Sequence, residues 1–165
     1  MKRIFWLTLF LLFLSANEYF SKFLLAVFVG QLEFNSAVER TFQYSTIDSY
    51  LFSAGFRAIP FIVLGLFAAK SKLSLTVFGR VGIWIIMLLN TAFILYGYWG
   101  MQHSLFTDAH TSSTSALAII WIPIWASLFT IVGFIVLVVV FQPEIRRFLI
   151  FLGQNILKSR SSFIR

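Results

Sequence analysis

The sequence contains no cysteine, which excludes disulfide bridges, thiolate metal sites and thiol nucleophiles. Charged residues are also scarce, at 12% of 165 residues, where a soluble domain carries roughly 25%. Such a chain cannot cover a water-facing globule with polar side chains, and its 21 phenylalanines would leave apolar patches too large for a soluble monomer. The composition therefore excludes a soluble domain and indicates a protein that is solvated mostly by lipid.

Motifs of catalysis are lacking as well. The chain has no Gly-rich phosphate loop, no serine in a Gly-x-Ser-x-Gly setting and no carboxylate pair at a spacing suited to acid–base work. His103, Asp108 and His110 share a polar segment, but their spacing is more typical of a solvated loop than of a metal site. We therefore expect no enzyme activity, catalytic residue, metal or cofactor, and rank a lipid-modifying enzyme last among the possible functions.

Four apolar segments are each long enough for the roughly 20 residues that cross a hydrocarbon core. They comprise residues 4–30, 50–69, 81–101 and 115–141. The first exceeds the hydrocarbon thickness, which implies tilt, a bend or interfacial ends. Its basic start and the small residues Ser15 and Ala16 also leave open a cleaved signal peptide. We predict an all-α fold, an integral membrane bundle of four transmembrane helices that forms one domain over residues 1–141.

The remaining residues, 142–165, form a basic tail with a different pattern. Apolar residues recur there at spacings of three and four, which is typical of an amphipathic helix. The tail is too short and too charged to span, so we predict a C-terminal helix that lies in the membrane plane. Its cations are expected to contact lipid headgroups: Arg146, Arg147, Lys158 and Arg160.

Basic residues flank the four segments unequally. One set of flanks, made of the N-terminus, the turn after the second segment and the tail, holds Lys2, Arg3, Lys70, Lys72, Arg80, Arg146, Arg147, Lys158, Arg160 and Arg165. The opposite flanks hold only Arg40. The positive-inside rule then places both termini in the cytoplasm. The net charge of +7 accordingly indicates anionic headgroups rather than nucleic acid, and we predict a multi-pass protein of a bacterial inner (plasma) membrane.

Charges inside the spans are the candidate functional residues, because an ionised group in the bilayer costs about 2.5–3.5 kcal/mol unless it is paired or hydrated. Glu18 and Lys22 lie one helical turn apart, whereas Arg57 has no local partner. Two interpretations are open. Either the cations extend to the headgroups, or Glu18, Lys22, Arg57 and Asn90 form an intramembrane polar cluster, in which Arg57 contacts Glu18.

Small residues at spacings of three or four suggest close helix contacts. They are Gly65, Ala69, Ala126, Thr130 and Gly133. Ordinary packing within the bundle is one explanation, and an interface between copies in a homo-oligomer is the other.

One stretch resembles a known family. Residues 138–147, Val-Val-Val-Phe-Gln-Pro-Glu-Ile-Arg-Arg, followed by Leu152 and Gly153, resemble the exit from the last transmembrane helix of membrane-bound bacterial diadenylate cyclases. In that family a cytoplasmic domain with Asp-Gly-Ala and Arg-His-Arg motifs follows. This chain contains neither motif, so the resemblance implies no cyclase activity. It implies a helix that starts at Pro143, with Arg146 and Arg147 at the inner headgroups.

Two functions therefore lead. The first is a non-catalytic interaction role, in which this small polytopic protein binds another membrane protein or a membrane-inserted toxin. Immunity proteins against pore-forming toxins are similar to it in size and topology. The second is a small channel or transporter subunit that uses the intramembrane polar cluster. In both cases the surrounding partner is the lipid bilayer.

Overall fold

A computed structural model of the chain describes residues 3–70, 73, 76–107 and 113–141. These residues form helices and no strand, which confirms the all-helical fold class. The helices are α1 (Arg3–Ser15), α2 (Glu18–Phe28), α3 (Phe34–Phe42), α4 (Ile47–Lys70), α5 (Val77–Thr107) and α6 (Ser113–Phe141). The predicted in-plane helix of residues 142–165 lies outside the described residues.

Three helices are long and apolar enough to cross a membrane. They are α4 with 24 residues, α5 with 31 and the part of α6 from Leu117 to Phe141 with 25, which correspond to lengths of about 36, 46 and 38 Å. α4 continues through Pro60 and α6 through Pro123. α5 is longer than the segment 81–101, so His103 lies on a helix and not in the expected loop. The length and apolar composition of these three helices support the prediction of a membrane protein.

The first apolar segment is bent. α1 and α2 meet at 57° and together would make a fourth span. Asn17 stands at the break, where its Oδ1 accepts a hydrogen bond from the Phe20 amide (2.7 Å) and its side-chain amide donates to the Leu14 carbonyl (2.8 Å). One polar side chain thus satisfies backbone groups on both sides of the break. The bend is among the geometries that the length of the segment allowed.

The polar connection after α2 contains a helix that the sequence pattern did not predict. α3 has nine residues, of which Ala37 and Thr41 are buried. A helix this short is marginal in isolation, so its stability comes from packing against α2 rather than from its own propensity.

The hydrophobic core lies between α4, α5 and α6 and includes Leu64, Ile83, Met87, Ala126 and Phe134. Small residues bring the helices close together. The space beside Gly133 is filled by Ile86, and the space beside Gly65 is filled by Trp6 of α1. Thr130 is buried as well. Gly65, Ala126, Thr130 and Gly133 therefore serve packing within the chain, whereas Ala69 is exposed.

The α1–α2 pair extends along most of α5. At one end the Phe5 ring lies edge-on to Trp84, with 5.5 Å between ring centroids. At the other end Gly30 packs against the Phe106 ring. Trp84 and Phe106 are about 33 Å apart along the helix, close to the thickness of a hydrocarbon core. We call these the α1 end and the α3 end of the bundle.

The two ends differ in charge. Described cations at the α1 end are Arg3, Lys70 and Arg80, whereas the α3 end carries the described acids Glu33, Glu39 and Asp48 together with Arg40. Between the ends the surface is apolar. The outward face of α6, for example, exposes Leu128, Phe129, Val132, Ile135 and Val136. Such a band suits contact with lipid tails.

Candidate functional site

A cavity of about 970 Å³ lies at the α3 end. α2, α3 and the first turns of α4 form most of its wall, and the last turns of α5 close one side. Its lining is rich in hydroxyl, amide and charged side chains: Glu18, Tyr19, Lys22, Ser36, Glu39, Arg40, Gln43, Tyr44, Ser45, Ser49, Ser53 and Gln102. We call it the polar cavity. A polar concavity of this size, attached to an apolar bundle, is a candidate ligand site.

Four buried polar side chains from three helices meet beside this cavity. Glu18 of α2 and Ser53 of α4 contribute to its wall and are only 6% and 1% exposed. Arg57 of α4 and Tyr98 of α5 lie behind them, each 0% exposed. The charge of Arg57 acts on both Glu18 and Tyr98, and Ser53 is close to both of the same residues. We call these four residues the polar centre.

The polar centre arises from helix geometry. Ser53 and Arg57 are one turn apart, so both side chains project from the same face of α4. Glu18 is in the first turn of α2, immediately after the break that Asn17 caps. The break thus determines where the carboxyl group sits relative to α4.

Most polar atoms of the centre make no hydrogen bond of good geometry, although the Ser53 hydroxyl lies near enough to Glu18 and to Tyr98 to influence both groups. Within the described part of the chain, no partner exists for Glu18 Oε2, Ser53 Oγ, the Tyr98 hydroxyl or any of the three guanidinium nitrogens of Arg57. Buried polar groups nearly always have a partner, and leaving one without costs about 1–3 kcal/mol. Water or a ligand is therefore expected to supply the partners here.

The buried hydroxyl groups of Thr41, Thr91, Ser127 and Thr130 do have partners. Each donates to the carbonyl one turn earlier in its own helix, as seen for Thr91 to Met87 (2.9 Å), Ser127 to Pro123 (2.8 Å) and Thr130 to Ala126 (2.9 Å). Ser53 makes no such bond. Outside the polar centre, the side-chain amide of Asn90 on α5 also lacks partners at both of its polar atoms. The polar centre is therefore the place in the described residues where several unpartnered side chains meet, although it is not the sole place where they occur.

Arg57 is held by aromatic rings. Its guanidinium carbon lies 5.1 Å from the centroid of the Phe13 ring and 5.8 Å from that of the Tyr50 ring. Cation–π contacts of this kind contribute about 0.5–2 kcal/mol. Phe13 belongs to the last turn of α1, whose negative dipole end also favours a cation. Because Arg57 is fully buried, the interpretation that it extends to the headgroups is wrong.

The predicted cluster is brought together only in part. Glu18 and Arg57 interact electrostatically, but no hydrogen bond joins them. The ammonium group of Lys22 donates to the Thr41 carbonyl of α3 (3.0 Å) rather than to Glu18. Asn90 is buried, yet it lies about 12 Å along α5 from Tyr98.

Sequence reasoning missed Ser53 and Tyr98. The position of Ser53 one turn before Arg57 is a signal that could have identified it. Tyr98 carried no such signal, because an aromatic residue near the end of a span is typical of a membrane boundary.

The other predicted sites lie mostly outside the described residues. This holds for Asp108 and His110 of the polar segment and for the headgroup-contacting Arg146, Arg147, Lys158 and Arg160. In the described ranges, no group of three or more His, Asp or Glu side chains is placed to hold a metal ion.

Comparison with models of known families, with curated proteins and with solved structures finds no match to this chain. Fold-level analogy therefore adds nothing here, and function has to be argued from the site itself.

Proposed function

We propose that this chain is a small four-span membrane protein that binds a small polar solute in the polar cavity, as a channel or transporter subunit does. The observation that carries the proposal is the polar centre without hydrogen-bond partners beside an open cavity. Ionisable residues within membrane spans are costly and commonly mark the path of a solute or ion. The cavity gives a solute a route to Glu18 and Ser53.

The break between α1 and α2 also favours this function. Transporters often build their binding sites at interrupted helices, where free helix ends and polar side chains face the solute. Here Phe13 before the break contacts Arg57, and Glu18 after the break lines the cavity. The interruption and the polar centre thus coincide.

Four crossings account for the contacts of the α1–α2 pair. A re-entrant loop would return to the end where it started, whereas this pair contacts α5 near Trp84 and again near Phe106. With the basic α1 end in the cytoplasm of a bacterial cell, the polar cavity would open to the outside.

The cysteine-free chain allows a direct test of this topology. Single cysteines at Arg3, Ser36 and Lys70 would be labelled in intact cells with a membrane-impermeant maleimide. We expect labelling at Ser36 without lysis, and at Arg3 and Lys70 only after lysis. Labelling of Arg3 and Ser36 from the same side would contradict a crossing by the α1–α2 pair, and the reverse pattern at all three sites would keep four crossings but contradict the orientation.

The alternative role, binding of a membrane protein or inserted toxin, stays a prediction. The exposed apolar face of α6 is available to such a partner, but lipid accounts for it equally well. Gly65, Thr130 and Gly133 offer no extra support, because they pack inside the chain.

Proteoliposomes can test the solute function. Purified protein would be reconstituted, and the uptake of urea, glycerol, glycine and chloride would be compared with that of empty vesicles. We expect uptake of at least one solute, reduced in Arg57→Met and in the milder Ser53→Ala. Val132→Ala, a change at an exposed position of α6, is the matched control.

Thermal stability in detergent would be recorded for each variant and with each solute. This separates loss of function from loss of the fold and also detects binding without transport. If no solute is taken up and none shifts the stability of the native chain, the proposed function is wrong.

A further inference from the structure

The charged residues of the polar cavity are divided into two regions. Lys22 of α2 and Arg40 of α3 form a basic region, and Glu18 of α2 forms an acidic one. Glu39 of α3 also lines the cavity, but its charge is not among those that act on Lys22. The ammonium group of Lys22 donates a hydrogen bond to the backbone carbonyl of Thr41, the residue that follows Arg40, so both cations belong to the same part of the cavity wall. The charge of Arg40 acts on Lys22 more strongly than the charge of Glu18 does.

Nothing in the described part of the chain forms an ion pair with this basic region through a hydrogen bond. The hydrogen bond that Lys22 donates goes to the neutral Thr41 carbonyl, and two of the three N–H donors of the ammonium group are left for a ligand. Arg40 rests on the Phe106 ring, 4.9 Å from its centroid, a contact that uses no guanidinium hydrogen bond. Two adjacent cations with open donors favour an acidic group as their ligand.

Glu18 presents the opposite charge one helical turn away, which corresponds to about 6 Å between the two backbone positions. Because the Lys22 side chain is directed to α3, the acid and base do not neutralise each other through a hydrogen bond. Arg57 lies behind Glu18 and does not line the cavity, so a ligand in the cavity meets the carboxyl group first.

We propose that the polar cavity binds a small zwitterion, with its acidic group at Lys22 and Arg40 and its ammonium group at Glu18. This inference rests on the solute function proposed above and specifies the ligand class. The same chemistry could come from a free amino acid or from the headgroup of a zwitterionic lipid that carries a primary amine. The volume of about 970 Å³ accommodates either one together with water.

Matched probes test the two charges separately. Calorimetry on the purified chain in an uncharged detergent would compare β-alanine (both charges), propionate (acid only) and propylammonium (amine only). We expect β-alanine to bind about tenfold more tightly than either single-charge probe, because one charge-assisted hydrogen bond contributes about that much. Glu18→Gln should reduce β-alanine to the affinity of propionate, and Lys22→Met combined with Arg40→Met should reduce it to that of propylammonium.

Asp48→Asn and Lys70→Met are the matched controls, since both change a charge outside the cavity lining, and they should leave the affinity unchanged. The source of the ligand is tested with short-chain phosphatidylethanolamine, against phosphatidylcholine of the same chain length. If only the ethanolamine lipid competes in the charge-dependent way, the ligand is a headgroup, and if only β-alanine binds, it is a free solute.

Equal binding of the three soluble probes, or an unchanged affinity in Glu18→Gln, would overturn the inference. If a neutral solute such as urea enters proteoliposomes while no zwitterion binds, the inference fails and the proposed function stands. If no solute enters or binds, both fail.

Discussion

Replacing Arg57 by methionine tests whether the charges of the polar centre stabilise one another. Methionine keeps an unbranched side chain but removes the guanidinium group, which leaves the buried carboxyl of Glu18 without the cation of α4. Opposite unit charges about 4 Å apart would interact by about 4 kcal/mol at an effective dielectric constant near 20, so a pair that is not hydrogen-bonded is expected to interact by less, about 2–3 kcal/mol. Loss of the cation–π contacts adds about 0.5–2 kcal/mol to the destabilisation.

An opposing effect reduces the net change in the single variant. The substitution removes the burial cost of a guanidinium group without hydrogen-bond partners, which is about 2.5–3.5 kcal/mol for an arginine in a span. We therefore expect Arg57→Met to change the free energy of unfolding by less than about 2 kcal/mol. The informative quantity is its coupling to Glu18→Gln in a double-mutant cycle, which we expect to be about 2–3 kcal/mol.

The free energies would be measured by SDS-induced unfolding in mixed micelles, followed by the fluorescence of the five tryptophans. The remote pair Asp48→Asn and Lys70→Met, at opposite ends of α4, is the control and should be additive within about 0.5 kcal/mol. A coupling of Glu18 to Arg57 below that value would refute the reasoning, because the two charges would then not stabilise each other.

Two further predictions concern the packing of the helices and the break. Gly82→Ala should destabilise the chain by about 1–3 kcal/mol, since its new methyl group would lie 2.5 Å from the Leu137 side chain of α6. Gly100→Ala, with open space around it, should be neutral or slightly stabilising. SDS-induced unfolding compares the two variants, and equal effects on the free energy of unfolding would contradict the close contact of α5 with α6. Asn17→Ala should lower the free energy of unfolding by about 1 kcal/mol and speed hydrogen exchange at the Phe20 amide, whereas Asn17→Asp should keep the cap. Unchanged hydrogen exchange in both variants would show that the cap does not stabilise the break between α1 and α2.

The membrane-spanning helices were predictable because their signal is a sum over many residues. A stretch of about 20 apolar side chains in lipid must satisfy its own backbone hydrogen bonds, and the α-helix does this within one segment. α4, α5 and α6 accordingly include the predicted segments 50–69, 81–101 and 115–141. The helix ends were less well predicted, since polar residues such as His103 continue α5 beyond its apolar part.

Only those residues of the polar centre that differ in chemistry from the rest of their own apolar segment could be predicted from the sequence. Glu18 and Arg57 could be identified from sequence because a charge within an apolar run is costly wherever it points. Ser53 and Tyr98 are ordinary residues in such runs. Their role depends on which faces of α4 and α5 meet α2, and that choice is made by packing between helices distant in sequence.

Composition, hydropathy and charge distribution thus determined by themselves that this is a helical membrane protein with unusual charges in its spans, because these properties depend on transfer from water to lipid, residue by residue. The tertiary structure decided the bend at Asn17, the packing of α3 against α2, the grouping of four polar side chains at the polar centre and the hydrogen bond from Lys22 to α3. Each of these depends on contacts between helices, and a linear pattern does not specify which faces come into contact.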